Sequence, residues 1–165
     1  MHLGWSIMIY GICLSIILST IILVTLYYNP RLLLQSYPAG IQKVVAEKTK
    51  YEKMQTKFVG IFFMLFLIGI PVVSTLLMKQ SYGGEISFLV AFINMFGIIT
   101  VFNVVDWLII DWLLICSVTP KFVIINGTEG MSEYKNHFHH FRGFVIGICL
   151  SLVTSLVLAT VISLL

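Results

Sequence analysis

The chain has 165 residues, of which 59% are hydrophobic and only 10% charged, and its mean hydropathy is +1.01. Soluble domains carry charge on roughly a quarter of their residues and small ones bury only about two-thirds of their chain surface, so much of this chain must meet lipid rather than water. The net charge of +3 is modest; the lipid bilayer is the expected partner and nucleic acid is not.

The first apolar stretch covers residues 4–28, more than the roughly 20 residues that a membrane-spanning helix needs. It lacks a basic n-region and a small-x-small cleavage site, so it is expected to stay as a first span. Gly11, Ser15 and Ser19 form a short track of small residues along it. Asn29-Pro30 ends the helix, because proline disfavours helical backbone in the residue before it.

The first long loop, 29–57, contains Arg31, Lys43, Lys48, Lys50, Lys53 and Lys57, and Tyr37-Pro38-Ala39-Gly40 reads as a turn within it. From 41 to 57 the apolar residues Ile41, Val44, Val45, Tyr51 and Met54 recur near helical spacing between charged ones. That pattern predicts an amphipathic helix on the membrane surface, running into a second span at 58–78. Pro71 within that span removes a backbone donor and predicts a kink.

The third apolar stretch, 86–118, has 33 residues. At 1.5 Å per residue it would be about 50 Å of helix, against a hydrocarbon core of about 30 Å. It also carries Asn103, Asp106 and Asp111. At about 100° per residue, Asp106 lies some 60° to one side of Asn103 and Asp111 about 80° to the other, with Trp107 between. The second long loop, 119–142, contains Phe122-Val123-Ile124-Ile125 followed by Asn126-Gly127, the pattern of a short strand and turn.

The fourth span, 143–165, has Gly143, Gly147, Ser151, Ser155, Ala159 and Ser163 at every fourth residue. Small residues so spaced let helix backbones approach closely where lipid supplies no hydrophobic drive. Its natural partners are the small-residue track of the first span or, in a homo- or hetero-oligomer, another chain.

Nine of the ten Lys and Arg residues lie in the two long loops. By the positive-inside rule those loops are cytoplasmic and both termini are not, as in a multipass protein of a plasma (inner) membrane. The fold class expected is all-α: a four-transmembrane-helix bundle with an amphipathic cytoplasmic surface helix in the first loop. Cys13, Cys116 and Cys149 are odd in number and in no C-x-x-C spacing, so they read as packing residues.

Carboxylates within a span are costly unless paired or hydrated, which makes Asp106 and Asp111 candidates for function. The cluster His137-Phe138-His139-His140-Phe141-Arg142 lies just before the fourth span. On a helix His137 and His140 share a face, while His139 and Arg142 share another. The expected site is a cytoplasm-facing pocket with Asp106, Asp111, His137 and His140 as catalytic groups. Asn103, His139 and Arg142 would support it, with Arg31 as counter-ion.

Asp111, His137 and His140 could hold a divalent metal such as iron or zinc. The same residues also suit a proton path, and His, Phe and Arg equally suit an interfacial anchor. There is no glycine-rich phosphate loop, Gly-x-Ser-x-Gly elbow or His-Glu-x-x-His. Three classes of function therefore stay open: a membrane-embedded enzyme, an ion- or proton-coupled transporter or channel subunit, and a non-catalytic partner of a larger complex.

Overall fold

The structure is a computed structural model that describes residues 2–164; residue 165, the end of the expected fourth span, lies outside the described residues. Five α-helices follow one another: α1 Leu3–Tyr28, α2 Ala39–Val44, α3 Lys50–Ser81, α4 Phe88–Val118 and α5 His137–Leu164. Short 3₁₀ turns occupy Pro30–Ser36, Lys121–Val123 and Ser132–Lys135. All but α2 are long and apolar enough to cross a membrane. Among the described residues there is no strand.

Local chemistry sets the helix limits. α1 stops at Asn29, where the backbone turns extended and the side-chain oxygen accepts from the Arg31 amide. α3 starts at a capping box: the Thr49 hydroxyl accepts from the Glu52 amide while the Glu52 carboxylate accepts from the Thr49 amide. Ser87 caps α4 by accepting from the Val90 amide. Between α3 and α4 the chain reverses at Gly83 and Gly84, both at positive φ.

The helix expected over 41–57 is therefore broken. α2 ends at Val44, the backbone is not helical from 46 to 49, and α3 begins at Lys50. The freed carbonyls find donors: Arg31 Nη2 reaches those of Ala46 and Glu47 at 3.2 and 3.0 Å. Ile41 is fully buried in protein rather than facing outward. The strand expected over 122–125 is likewise a 3₁₀ turn followed by extended backbone, while the turn at Asn126-Gly127 is present.

The two long loops fold onto each other as a cap. Tyr37 Oη donates to the Val123 carbonyl at 2.8 Å, and Tyr134 Oη accepts from the Ile125 amide at 2.9 Å. The two phenol rings meet edge to face at 5.9 Å. Leu26, Ile41, Val123 and Ile125 close around them. These tyrosines do in side-chain hydrogen bonds what a sheet would have done for the same backbone.

α4 is the centre of the bundle. On its α1 side, Val101 lies over Gly11 and Ile7 over Gly97, so closely that a methyl on either glycine would come within about 2.8 Å of those side chains. On its α5 side, Ser151, Ser155 and Ala159 are buried and Asn103 rests on Gly147. The tracks on α1 and α5 thus pack on α4 between them, not chiefly on each other as the sequence suggested. Asn103 adds a tie on the α5 side: its Nδ2 donates to Ser151 Oγ at 2.9 Å.

Toward the chain termini the bundle is stitched by polar groups. Ser6 of α1 bonds Ser74 of α3 at 2.8 Å, and Asn94 Nδ2 of α4 donates to Ser74 and Thr75 at 3.2 and 2.9 Å. α3 continues through Pro71, whose carbonyl accepts from Thr75 Oγ1. Lys79 Nζ of α3 donates to the Ile162 carbonyl of α5. α3 and α5 thus come together at this end; at the loop end they part.

Candidate functional site

Where α3 and α5 part, a cavity of about 670 Å³ opens, bounded by α1, the first loop, α3, α4 and α5. Ligand pockets run from about 300 to 1,000 Å³, so it is of ligand size. One side is hydrocarbon, from Ile21 and Ile22 of α1 and Val59, Phe63 and Met64 of α3. The other carries the charged and amide groups, Asn103, Asp106, Asp111, His139, His140 and Arg142, set among Trp107, Ile110 and Phe144.

The polar side depends on the winding of α4. From Asp106 to Val118 its backbone is a π-helix, in which bonds run from i to i+5. Residues five apart are then drawn toward one face, whereas in an α-helix Asp106 and Asp111 would point apart. The same winding stacks Trp107 over Trp112, ring centroids 5.7 Å apart. It ends at Thr119, a β-branched residue at φ 47° just before Pro120. π turns are rare and occur often at functional sites.

α5 brings the other half. Asn136 caps it, its side chain accepting from the His139 amide at 3.0 Å, and that start fixes where each histidine falls. His140 Nδ1 lies 2.9 Å from Asp111 Oδ1, with the imidazole only 8% exposed and the carboxylate 21%. His140 Nε2 is buried and has no hydrogen-bond partner among the described residues. A carboxylate on Nδ1–H fixes the tautomer and leaves the lone pair of the neutral ring on Nε2. Such an imidazole can take or give a proton at one defined atom.

The remaining expected site residues divide. Asp106 lines the cavity with no hydrogen-bonding or cationic partner among the described residues. Arg142 lines it too, exposed and in no ion pair there. His139 lines it while its Nε2 donates to the Ser36 carbonyl at 3.0 Å.

His137 does not join them. Its Nδ1 donates to the Lys135 carbonyl and its ring stands against Trp112, in a smaller apolar groove outside the cavity. Asp111 and His140 thus meet while His137 stays apart, and among the described residues no three His, Cys, Asp or Glu side chains converge as a metal site. Arg31 is also elsewhere, paired with Glu52 at 2.8 Å.

Sequence reasoning passed over the cap and the stitch at Asn94. Thr49-Lys50-Tyr51-Glu52 is a readable capping box, and Asn94 is an amide inside an apolar run. Burial, and secondarily Tyr134, push the Tyr37 phenol pKa above its ordinary value. Comparison with protein-family models, with characterised proteins and with solved structures gives no match.

Proposed function

We propose that the protein is a multipass membrane enzyme that binds its substrate in the loop-end cavity and moves a proton there through His140, oriented by Asp111. One observation carries the reading: a buried imidazole, paired at Nδ1 with the half-buried Asp111 carboxylate and without a hydrogen-bond partner at its enclosed Nε2 among the described residues, belongs to a side chain on the wall of a ligand-sized cavity. Burial strengthens such a pair, since it is shielded from water and its geometry is held before substrate arrives. The nine basic residues of the two long loops support a cytoplasmic cavity mouth and non-cytoplasmic termini, in a plasma (inner) membrane. Metal chemistry on Asp111, His137 and His140 would need His137 to leave Lys135 and Trp112, so proton transfer is the simpler use of this geometry.

The test is a comparison of lipid and metabolite profiles in cells carrying the wild type, Asp111→Asn or His140→Gln at equal protein levels. The wild type should deplete one compound and accumulate another, and both variants should abolish that change. Variants that act like the wild type would overturn the reading.

A further inference from the structure

The cavity's two walls differ in kind, and that difference bears on what fills it. Asp106, Asp111, His140 and Arg142 gather on the α4–α5 side. Facing them, Ile21, Ile22, Val59, Phe63 and Met64 offer nothing that can hydrogen-bond. A small polar substrate would satisfy the first wall and lose its hydration against the second, at a cost in free energy. An amphiphile satisfies both.

The way in points to the same ligand. Gly60 of α3 and Gly143 of α5 both line the cavity, and a methyl added to either would have no heavy atom within 4 Å. Both are exposed, so we read the cavity wall between these two helices, each long and apolar enough to cross a membrane, as an open slot. Around it Ile61, Phe62 and Leu65 on α3, and Val145 and Ile146 on α5, are exposed apolar side chains. At its loop end the rim is polar, with Gln35, Ser36 and Arg142. Hydrocarbon below and a free guanidinium above is the profile of a phospholipid, and Arg suits phosphate.

Resting on the proposed catalytic reading, we infer that the substrate is a phosphate-bearing bilayer lipid. It slides sideways between α3 and α5, its acyl chain against Val59, Phe63 and Met64, its phosphate at Arg142 and its reacting group at His140.

The experiment uses the full chain in vesicles containing phosphatidylglycerol with a photoactivatable group in one acyl chain. Cross-links in the wild type should concentrate in residues 59–64 and 143–146. Gly60→Phe and Gly143→Phe, each adding bulk into open space, should reduce those cross-links to background. Gly4→Phe, equally open but at the far end of α1, should leave them unchanged. Diacylglycerol with the same chains should compete poorly, and free glycerol phosphate should not displace the probe. Labelling spread evenly over all exposed helix faces, and unaltered by Gly60→Phe and Gly143→Phe, would overturn the lipid site. Asp111→Asn separates the two readings. If it ends turnover of a water-soluble compound while the slot stays unlabelled, catalysis stands and the lipid fails. If the slot is labelled specifically and lipid turnover is indifferent to Asp111→Asn, the lipid site stands and catalysis fails.

Discussion

The bundle holds two buried polar clusters that resemble each other in residue type and differ in surroundings. Near the termini, Ser6, Ser74, Thr75 and Asn94 bond across three helices, and none of them lines the loop-end cavity. Near the loops, Asp111 and His140 bond across two helices and face about 670 Å³ of open space. In the first cluster most polar atoms hold helices together, and Asn94 Oδ1 is left without a hydrogen-bond partner among the described residues. In the second, one nitrogen and one carboxylate, His140 Nε2 and Asp106, have no hydrogen-bonding or cationic partner among the described residues. An unpartnered atom thus occurs in both, and what sets the second apart is the cavity that its side chains line, which is why the second is read as a site.

That contrast can be tested by substitution, starting with the largest effect. His140→Gln or Asp111→Asn should lower turnover by about 10²–10⁴-fold, the usual contribution of a positioned general acid–base, with folding in detergent little altered. A large loss of stability without a specific loss of turnover would erase the distinction between the clusters.

Within the α5 ridge, Gly147→Ala would press a methyl to 2.6 Å from Asn103 Oδ1. Overpacking of this kind costs about 1–3 kcal/mol, to be read from denaturant unfolding in micelles. Gly143→Ala meets open space and should shift stability by less than about 0.5 kcal/mol.

Asn94→Ala comes next. Ser74 keeps Ser6, and Thr75 keeps the Pro71 carbonyl, so the loss should sit near the modest value of about 0.6 kcal/mol found for hydrogen bonds between membrane helices. Turnover should not change.

The smallest effect belongs to the cap and appears only in alkali. Tyr37 holds its proton more tightly in the folded state, because burial and its neighbour Tyr134 raise its pKa. Below about pH 10, the ordinary tyrosine value, folded and unfolded states both keep the proton. Above it the unfolded chain ionises while the folded one does not, so stability should fall as pH rises toward the folded-state value. Tyr37→Phe should flatten that decline in unfolding curves taken on either side of pH 10, and an unchanged slope would locate the titration elsewhere.

The four long helices were legible because about 20 apolar residues in a row leave few alternatives. So were Asn103, Asp106, Asp111, His139, His140 and Arg142, since such groups are conspicuous in an apolar chain, whereas His137 and Arg31, expected with them, lie elsewhere. Their arrangement was not. Spacing alone puts Asp106 and Asp111 about 140° apart on an α-helix, and no periodicity distinguishes α from π winding in an apolar run. The choice of His140 over His137 turns on Asn136 as a cap, a matter of one residue. Pairing α1 with α5 followed from their small residues, but α4, with Gly97 on one side and Asn103 on the other, was better suited to both. The cap was obscured because its ties are tyrosine hydroxyls to backbone, joining loops far apart in sequence.

Looser winding gives α4 slack that an ordinary helix lacks. Between Asp106 and Val118 each turn holds more chain than an α turn would. If one of those turns tightened, everything beyond it would swing by about 100° per residue taken up. Asp111 would then leave His140, and Trp112 would leave Trp107. The Asp111–His140 pair is thus assembled by the pitch of a single helix, and its angular setting belongs to residues 106–118 as much as to the two side chains that touch.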